Sequence, residues 1–371
     1  MYGLIFYTLA VSNTMFYREN TKIVIVGGVK IGGNSPISVQ SMTKTDTSDV
    51  EATVNQILEL YDAGCDIVRI AVPDDKAAEG LKSIVNQSPL PIVADIHFNY
   101  RLALTALESG VAKIRLNPGN LNNENGVSEV TKLAKKLGVP IRIGVNGGSA
   151  KRENEASDIE SRAKELLKNV ECHMRLLTDL DFTEIIVSLK ASDAETTILA
   201  NKLFAEKYDF PLHIGLTEAG IPPAGLIKST IAISDILRLN IGNTLRVSLT
   251  ANPIEEVAAG IDILKSLKFR RGGINYISCP TCGRCDVDLL KIANFLKETL
   301  SNLDKKLQKD EKEITIAVMG CEVNGPGEAK EADYGVACGN GSGMIFANGN
   351  KIKRVKEEEI PAELLAIIKE K

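Results

Sequence analysis

Over the first 265 residues, short stretches that alternate apolar and polar side chains are separated by longer stretches with helical spacing. The alternating stretches predict eight strands, at residues 37–42, 67–72, 92–97, 112–117, 141–146, 185–190, 212–217 and 245–250. Helical patterns lie between them. Ser48-Asp49-Val50-Glu51 reads as a capping box, followed by Val50, Val54, Ile57, Leu58 and Tyr61 on one helical face. Ala63-Gly64-Cys65, Ser109-Gly110-Val111 and Leu137-Gly138-Val139 put a glycine just before the next strand, where a left-handed cap is expected. Eight strands alternating with helices predict an α/β fold, a closed (β/α)8 TIM-type barrel. A doubly wound open sheet is the competing arrangement, because strand order cannot be read from a sequence.

Parallel strands covered on both faces usually read as continuous apolar runs. These alternate instead. Arg69 stands between Val68 and Ile70, and Asp95 and His97 flank Ile96. Lys113, Arg115 and Asn117 share one face of the fourth strand, and Arg142, Gly144 and Asn146 one face of the fifth. Ser188 and Lys190, then His213, Gly215 and Thr217, then Thr244, Arg246, Ser248 and Thr250 continue the pattern. With the apolar face on the helices, the polar face lines the barrel, which predicts a cation-rich pocket at the carboxyl edge of the strands.

Such cations repel one another unless an anion or carboxylates intervene. Arginine's planar fork suits phosphate oxygens, and the loops Asn117-Pro118-Gly119-Asn120 and Asn146-Gly147-Gly148-Ser149 offer backbone donors. The structural alternative is an internal ion-pair network involving Asp95 and Glu218. His213 reads as an interior histidine rather than a ligand.

Composition narrows the partners. The chain has 371 residues, 25% charged and 44% hydrophobic, with a net charge of −4, which argues against nucleic-acid or anionic-membrane binding. Residues 1–11 are apolar but too short to span a bilayer and lack a basic start, so an over-extended start (Met15 is a second candidate) or a loose tail is expected over residues 1–20. Seven cysteines without secretory features point to a reducing, cytoplasmic compartment.

The repeat stops after Leu267, and Phe269-Arg270-Arg271-Gly272-Gly273 reads as a hinge. The expected domains are therefore 21–267 and 268–371. Cys65 and Cys172 are isolated and read as structural. The second domain carries Cys279-Pro280-Thr281-Cys282-Gly283-Arg284-Cys285, then Gly320-Cys321 and Asn324-Gly325-Pro326-Gly327-Glu328, then Cys338. Four thiolates, Cys279, Cys282, Cys321 and Cys338, would suit structural zinc, whereas the small-residue turn after Cys321 would let backbone approach a bulkier iron–sulfur cluster. The residues leave that choice open.

These cysteine motifs resemble those of the 4-hydroxy-3-methylbut-2-enyl diphosphate synthase family of the methylerythritol phosphate pathway. So do Val39-Gln40-Ser41-Met42-Thr43, Val93-Ala94-Asp95-Ile96-His97-Phe98, Arg115-Leu116-Asn117-Pro118-Gly119-Asn120, Ile141-Arg142-Ile143-Gly144-Val145-Asn146, Val187-Ser188-Leu189-Lys190-Ala191-Ser192-Asp193 and Leu216-Thr217-Glu218-Ala219-Gly220. The resemblance runs in order from about residue 21 to the C-terminal region.

It implies a barrel that binds 2-C-methyl-D-erythritol 2,4-cyclodiphosphate, followed by a smaller α+β domain carrying a [4Fe–4S] cluster. The implied ligands are Cys279, Cys282, Cys321 and Glu328, the carboxylate being the harder and more labile donor. Glu328, Asn324 and Glu218 are the implied catalytic residues. Arg69, Arg115, Arg142, Asn146, Lys190, Thr217, Arg246 and Ser248 are the candidate substrate contacts. Reduced flavodoxin or ferredoxin is the implied electron donor, and a homodimer with sites shared between subunits the implied assembly. Cys285, Cys338 and the extreme N-terminus have no expected counterpart in the family. The alternatives are a phosphate-binding barrel enzyme with a structural zinc domain, or a non-catalytic iron–sulfur sensor.

Overall fold

A computed structural model of the protein describes residues 17–97, 99–116, 124–147, 158–285, 287–321, 327 and 330–369. The chain forms two compact units, Met1–Arg270 and Arg271–Lys371.

In the first unit eight parallel strands form one sheet: β3 (Ser38–Met42), β4 (Ile67–Ala71), β5 (Ile92–Ile96), β6 (Lys113–Leu116), β7 (Ile141–Asn146), β8 (Ile185–Lys190), β9 (His213–Ile214) and β10 (Thr244–Leu245). The order is β8-β7-β6-β5-β4-β3-β10-β9, and a parallel bridge between Val187 and Leu212 joins the two outer strands. That closure makes a barrel and excludes the open doubly wound sheet. Helices α1 (Val50–Asp62), α2 (Asp75–Gln87), α3 (Tyr100–Glu108), α4 (Glu124–Leu137), α5 (Ile159–Thr178), α6 (Ala194–Ala205), α7 (Ala224–Arg238) and α8 (Pro253–Ser266) surround it.

Sequence determines where these helices start. Asp49, Asp74, Asn99, Asp158, Asp193 and Asn252 each accept a backbone N–H from the first turn that follows. The cap of α1 is therefore Asp49, which accepts from Ala52, and not the expected Ser48. The buried face of α1 is Thr53, Val54, Ile57 and Leu60, while Leu58 and Tyr61 are exposed. The two stripes share Val54 and Ile57, but the buried face turns toward Thr53 and Leu60, roughly 50° around the axis from the expected one.

Two further differences bear on the barrel's interior. A hairpin of β1 (Val24–Val26) and β2 (Val29–Ile31) precedes the barrel, turning on Gly27 and Gly28, both at positive φ. A Cβ at Gly27 would lie 2.8 Å from that of Pro91. Its buried residues Val24, Val26 and Ile31 pack with Ile67, Val93 and Ile186, the inward residues at the amino ends of β4, β5 and β8. One end of the interior is thus apolar, and the polar lining occupies the rest.

The other difference concerns β9 and β10, which hold two regular residues each instead of the expected six. Gly215, at φ +139°, approaches the Arg246 carbonyl too closely for any side chain, so the strands leave regular pairing there.

The second unit is a five-stranded sheet in sequence order: β11 (Gly273–Ser278), β12 (Glu313–Met319), β13 (Tyr334–Gly339), β14 (Ser342–Ala347) and β15 (Asn350–Lys356). The first three are parallel and the last two antiparallel. Helix α9 (Leu289–Thr299) and the C-terminal helix (Ile360–Lys369) contribute Ile292, Leu296, Ile360 and Leu364 to a core with Ile316, Val336 and Ile345.

Candidate active site

The alternation along each strand sends one set of side chains inward. Arg69, Asp95, Lys113, Arg115, Arg142, Ser188, Lys190 and His213 are held by β4 to β9, and Arg246 follows β10 by one residue. Gly144 makes room: a Cβ there would lie 2.8 Å from Ser188 Oγ and 3.4 Å from Arg115 Nε.

Asp95 organises part of this set. Arg115 donates to Asp95 Oδ1 at 3.2 Å, and Arg69 Nε lies 3.7 Å from Oδ2. His97 Nε2 is 3.3 Å from the same oxygen, while its Nδ1 faces Arg115 Nη1 at 3.4 Å. Since guanidinium only donates, Nδ1 accepts and the ring proton sits on Nε2, pointing at Asp95. Burial pushes the Asp95 carboxyl up, but Arg69, the His97 hydrogen bond and Arg115 outweigh it and hold it well below the usual carboxylate range.

The other cations are less well served. No described carboxylate lies within ion-pair distance of Arg142, Lys113 or Lys190. Burial first, and the surrounding guanidinium groups second, depress all three below their ordinary pKa values. Among the described residues Lys113 Nζ donates only to Gln40 Oε1, at 3.4 Å. Among the described residues the buried Nε atoms of Arg115, Arg142 and Arg246 have no hydrogen-bond acceptor. Six interior cations thus face two interior carboxylates among the described residues, Asp95 and Glu256, the latter 4.0 Å from Arg246 Nη2, an excess of positive charge that a polyanionic ligand would relieve. His213 is buried with Nδ1 3.5 Å from Thr244 Oγ1, and desolvation keeps it neutral.

Asp95→Asn is expected to destabilise the protein by about 3 kcal/mol, because Arg69 and Arg115 would lose their buried counter-charge. The Asp95 contribution is present above its unfolded pKa of roughly 4 and lost as pH falls toward the depressed folded value. Urea denaturation should therefore show the largest gap between parent and variant above about pH 4, narrowing on acidification; a constant gap would show that the charge is not responsible.

Asn146 ends β7, Thr217 and Glu218 follow β9, and Ser248 follows β10. Thr217 N–H donates to the Ala191 carbonyl at 3.1 Å. Glu218 is exposed and held at φ +54°, a left-handed conformation that costs a non-glycine residue energy and often marks a functional turn. The second carboxylate of the interior is Glu256, not the expected Glu218. The loop at 117–120 and Gly148 and Ser149 lie outside the described residues, as do Asn324 and Glu328.

In the second unit, β11 and β12 are adjacent and parallel, with Ser278 opposite Val318. Their carboxyl ends bring the loop bearing Cys279 and Cys282 beside Gly320-Cys321. Gly320 N–H donates to Cys279 Sγ at 3.3 Å. A Cβ at Gly320 would lie 2.5 Å from Cys285 Sγ and 3.4 Å from Cys279 Sγ, so the missing side chain is what lets these sulfurs pack against the backbone there. Among the described residues no three Cys, His, Asp or Glu side chains already converge as a metal-binding group. The donor chemistry nonetheless fits an iron–sulfur centre: thiols on adjacent strand ends, a backbone N–H aimed at sulfur, and a glycine that lets sulfur approach the backbone.

Cys338 is buried in β13 within the apolar core. Cys65, also buried, donates to the Ile67 carbonyl at 3.1 Å, and burial pushes its thiol up to about 12. Cys172 is exposed.

Residues 21–261 match the GcpE TIM-barrel domain, and residues 275–370 match the GcpE protein C-terminal domain. The chain is 49% identical over 351 residues to the 4-hydroxy-3-methylbut-2-en-1-yl diphosphate synthase (flavodoxin) of Clostridium perfringens, covering 95% of this chain and 99% of that protein. To the protein of the same name from Geobacter sulfurreducens it is 48% identical, covering 94% and 97% respectively. Among solved structures, dihydropteroate synthase from Stenotrophomonas maltophilia superposes with a TM-score of 0.51 at 15% identity, over 67% of this chain and 97% of that one. This last likeness concerns the barrel fold alone.

Proposed function

This chain belongs to the GcpE family, and on that premise we propose how it performs the reductive ring opening of 2-C-methyl-D-erythritol 2,4-cyclodiphosphate to 4-hydroxy-3-methylbut-2-enyl diphosphate. The enzyme is an iron–sulfur oxidoreductase of isoprenoid precursor synthesis with flavodoxin as electron donor. Two electrons and two protons enter. One ring carbon–oxygen bond to phosphate breaks, and a hydroxyl leaves as water.

The observation that carries the site assignment is the excess of buried cations in the barrel. Arg69, Arg115, Arg142, Lys190 and Arg246 bind the two phosphates and stabilise the charge that gathers on the departing phosphate oxygen. Asn146, Thr217 and Ser248 orient the ring at the carboxyl edge, with Glu218 on the neighbouring turn as a catalytic group. Burial matters here: these charges are shielded from solvent and are weakly screened.

A [4Fe–4S] cluster is the cofactor we assign, held by Cys279, Cys282, Cys321 and Glu328. When bound, it supplies the two electrons one at a time. Asn324, four residues before Glu328 in the sequence, completes the catalytic set. A homodimer in a reducing cytoplasm completes the proposal.

Anaerobically purified protein should contain iron and acid-labile sulfide, and should convert the cyclodiphosphate when given a strong one-electron donor. Zinc in place of iron, or an intact cluster without turnover, would overturn the reading. Glu328→Ala should abolish turnover while retaining part of the cysteine-bound iron; unchanged activity would refute its role.

A further inference from the structure

Helix α8 carries a carboxylate that is almost wholly buried, although first-turn glutamates usually face solvent. Glu256 is 1% exposed. Its Oε1 accepts the Leu249 backbone N–H at 2.9 Å and the Lys44 ammonium at 3.3 Å. Its Oε2 accepts from Ser41 Oγ at 3.4 Å and lies 4.0 Å from Arg246 Nη2. Lys44, from the loop after β3, also donates to the Leu249 carbonyl at 3.1 Å and to the Ala251 carbonyl.

These contacts fall where the barrel's own hydrogen bonding stops. Regular pairing of β10 ends at Leu245, yet Arg246 and Ser248 lie beyond it. Arg246 N–H still reaches the Ile214 carbonyl, and Thr250 N–H the Gly220 carbonyl. Between them, Leu249 has its N–H satisfied by Glu256 and its carbonyl by Lys44. Two side chains thus do what a neighbouring strand does elsewhere in the sheet. The same carboxylate faces the Arg246 guanidinium.

We propose that Glu256 and Lys44 are positioning residues that set residues 246–249 in the conformation in which Arg246 and Ser248 receive a phosphate group of the substrate. This rests on the assignment of Arg246 and Ser248 as substrate contacts. Neither Glu256 nor Lys44 touches the substrate. They fix the approach of groups that do, and misplacement by about 1 Å in such a site can cost roughly a hundredfold in rate.

The test uses the holoenzyme with Glu256→Gln, Lys44→Met, Lys44→Arg and, as reference, Arg246→Met. Glu256→Gln should raise KM for the cyclodiphosphate roughly ten- to a hundredfold, with a smaller change in kcat and unchanged iron content. Lys44→Met should raise KM less, and Lys44→Arg should restore it. Calorimetric binding of the cyclodiphosphate should follow KM. Unchanged KM in both Glu256→Gln and Lys44→Met, with only a lower melting temperature, would reduce the pair to a structural staple. If Arg246→Met raises KM while those two do not, the positioning role fails and the substrate contact stands. If Arg246→Met has no effect either, both fail. Should Glu256→Gln not fold, the half-exposed Lys44 decides the question.

Discussion

Arg142→Met is expected to weaken cyclodiphosphate binding by roughly a hundredfold while leaving the ligand-free enzyme as stable as the parent or more so. Arg142 is 2% exposed, and no described carboxylate pairs with it. Its burial, and the nearby Arg69 and Arg115, disfavour the charged form. In the ligand-free barrel this guanidinium is therefore a liability, and an apolar side chain of similar volume removes it. With a diphosphate present the balance reverses. Two charge-assisted hydrogen bonds are together worth about 3 kcal/mol, close to two orders of magnitude in affinity. Binding calorimetry and urea denaturation on the same preparations separate the effects. Equal affinity, or a marked loss of ligand-free stability with iron content intact, would show that Arg142 serves the fold instead of the ligand. By the same linkage the substrate should raise the parent's melting temperature more than the variant's.

This coupling explains why the barrel was legible in the sequence. A barrel filled with aliphatics writes its strands as apolar runs that resemble buried helix. Here the interior side chains are charged, so the twofold period survives in the string, and β7 and β8 run over 141–146 and 185–190 as the alternation predicts. Where the alternation continued but the hydrogen bonding did not, the reading overshot, as at residues 246–250.

The β1–β2 hairpin was missed although Gly27-Gly28 between Val-Ile-Val and Val-Lys-Ile is a hairpin signal. Glu256 was missed for a different reason. A glutamate in the first turn of a helix already has a local explanation, as a partner for the helix dipole, so only the fold reveals that it is buried beside Arg246 and Lys44. Long-range pairings of this kind join residues more than 200 positions apart, and no local pattern records them.

Replacing Cys279, Cys282 or Cys321 singly by Ser should remove most of the iron and all turnover, whereas Cys338→Ala should keep both. The distinction rests on the sheet. Cys279 and Cys321 follow the adjacent parallel strands β11 and β12, which end at the same edge, and Cys282 is exposed on the first of those loops. Cys338 belongs to β13, pairs in register with Gly343, and is buried in the core with Val336 and Ile345. Removing its sulfur should cost on the order of 1 kcal/mol through the small cavity left behind, without touching the metal. Cys285 is the discriminating control. Its thiol donates to the Val287 carbonyl at 3.4 Å and packs over Gly320, so it neighbours the ligand loop without belonging to the assigned set. Iron analysis and the visible spectrum of Cys285→Ala should match the parent's. If iron survives in Cys279→Ser but is lost in Cys285→Ala or Cys338→Ala, the ligand set is wrong. Cys285 or Cys338 would then hold the position assigned to Cys279.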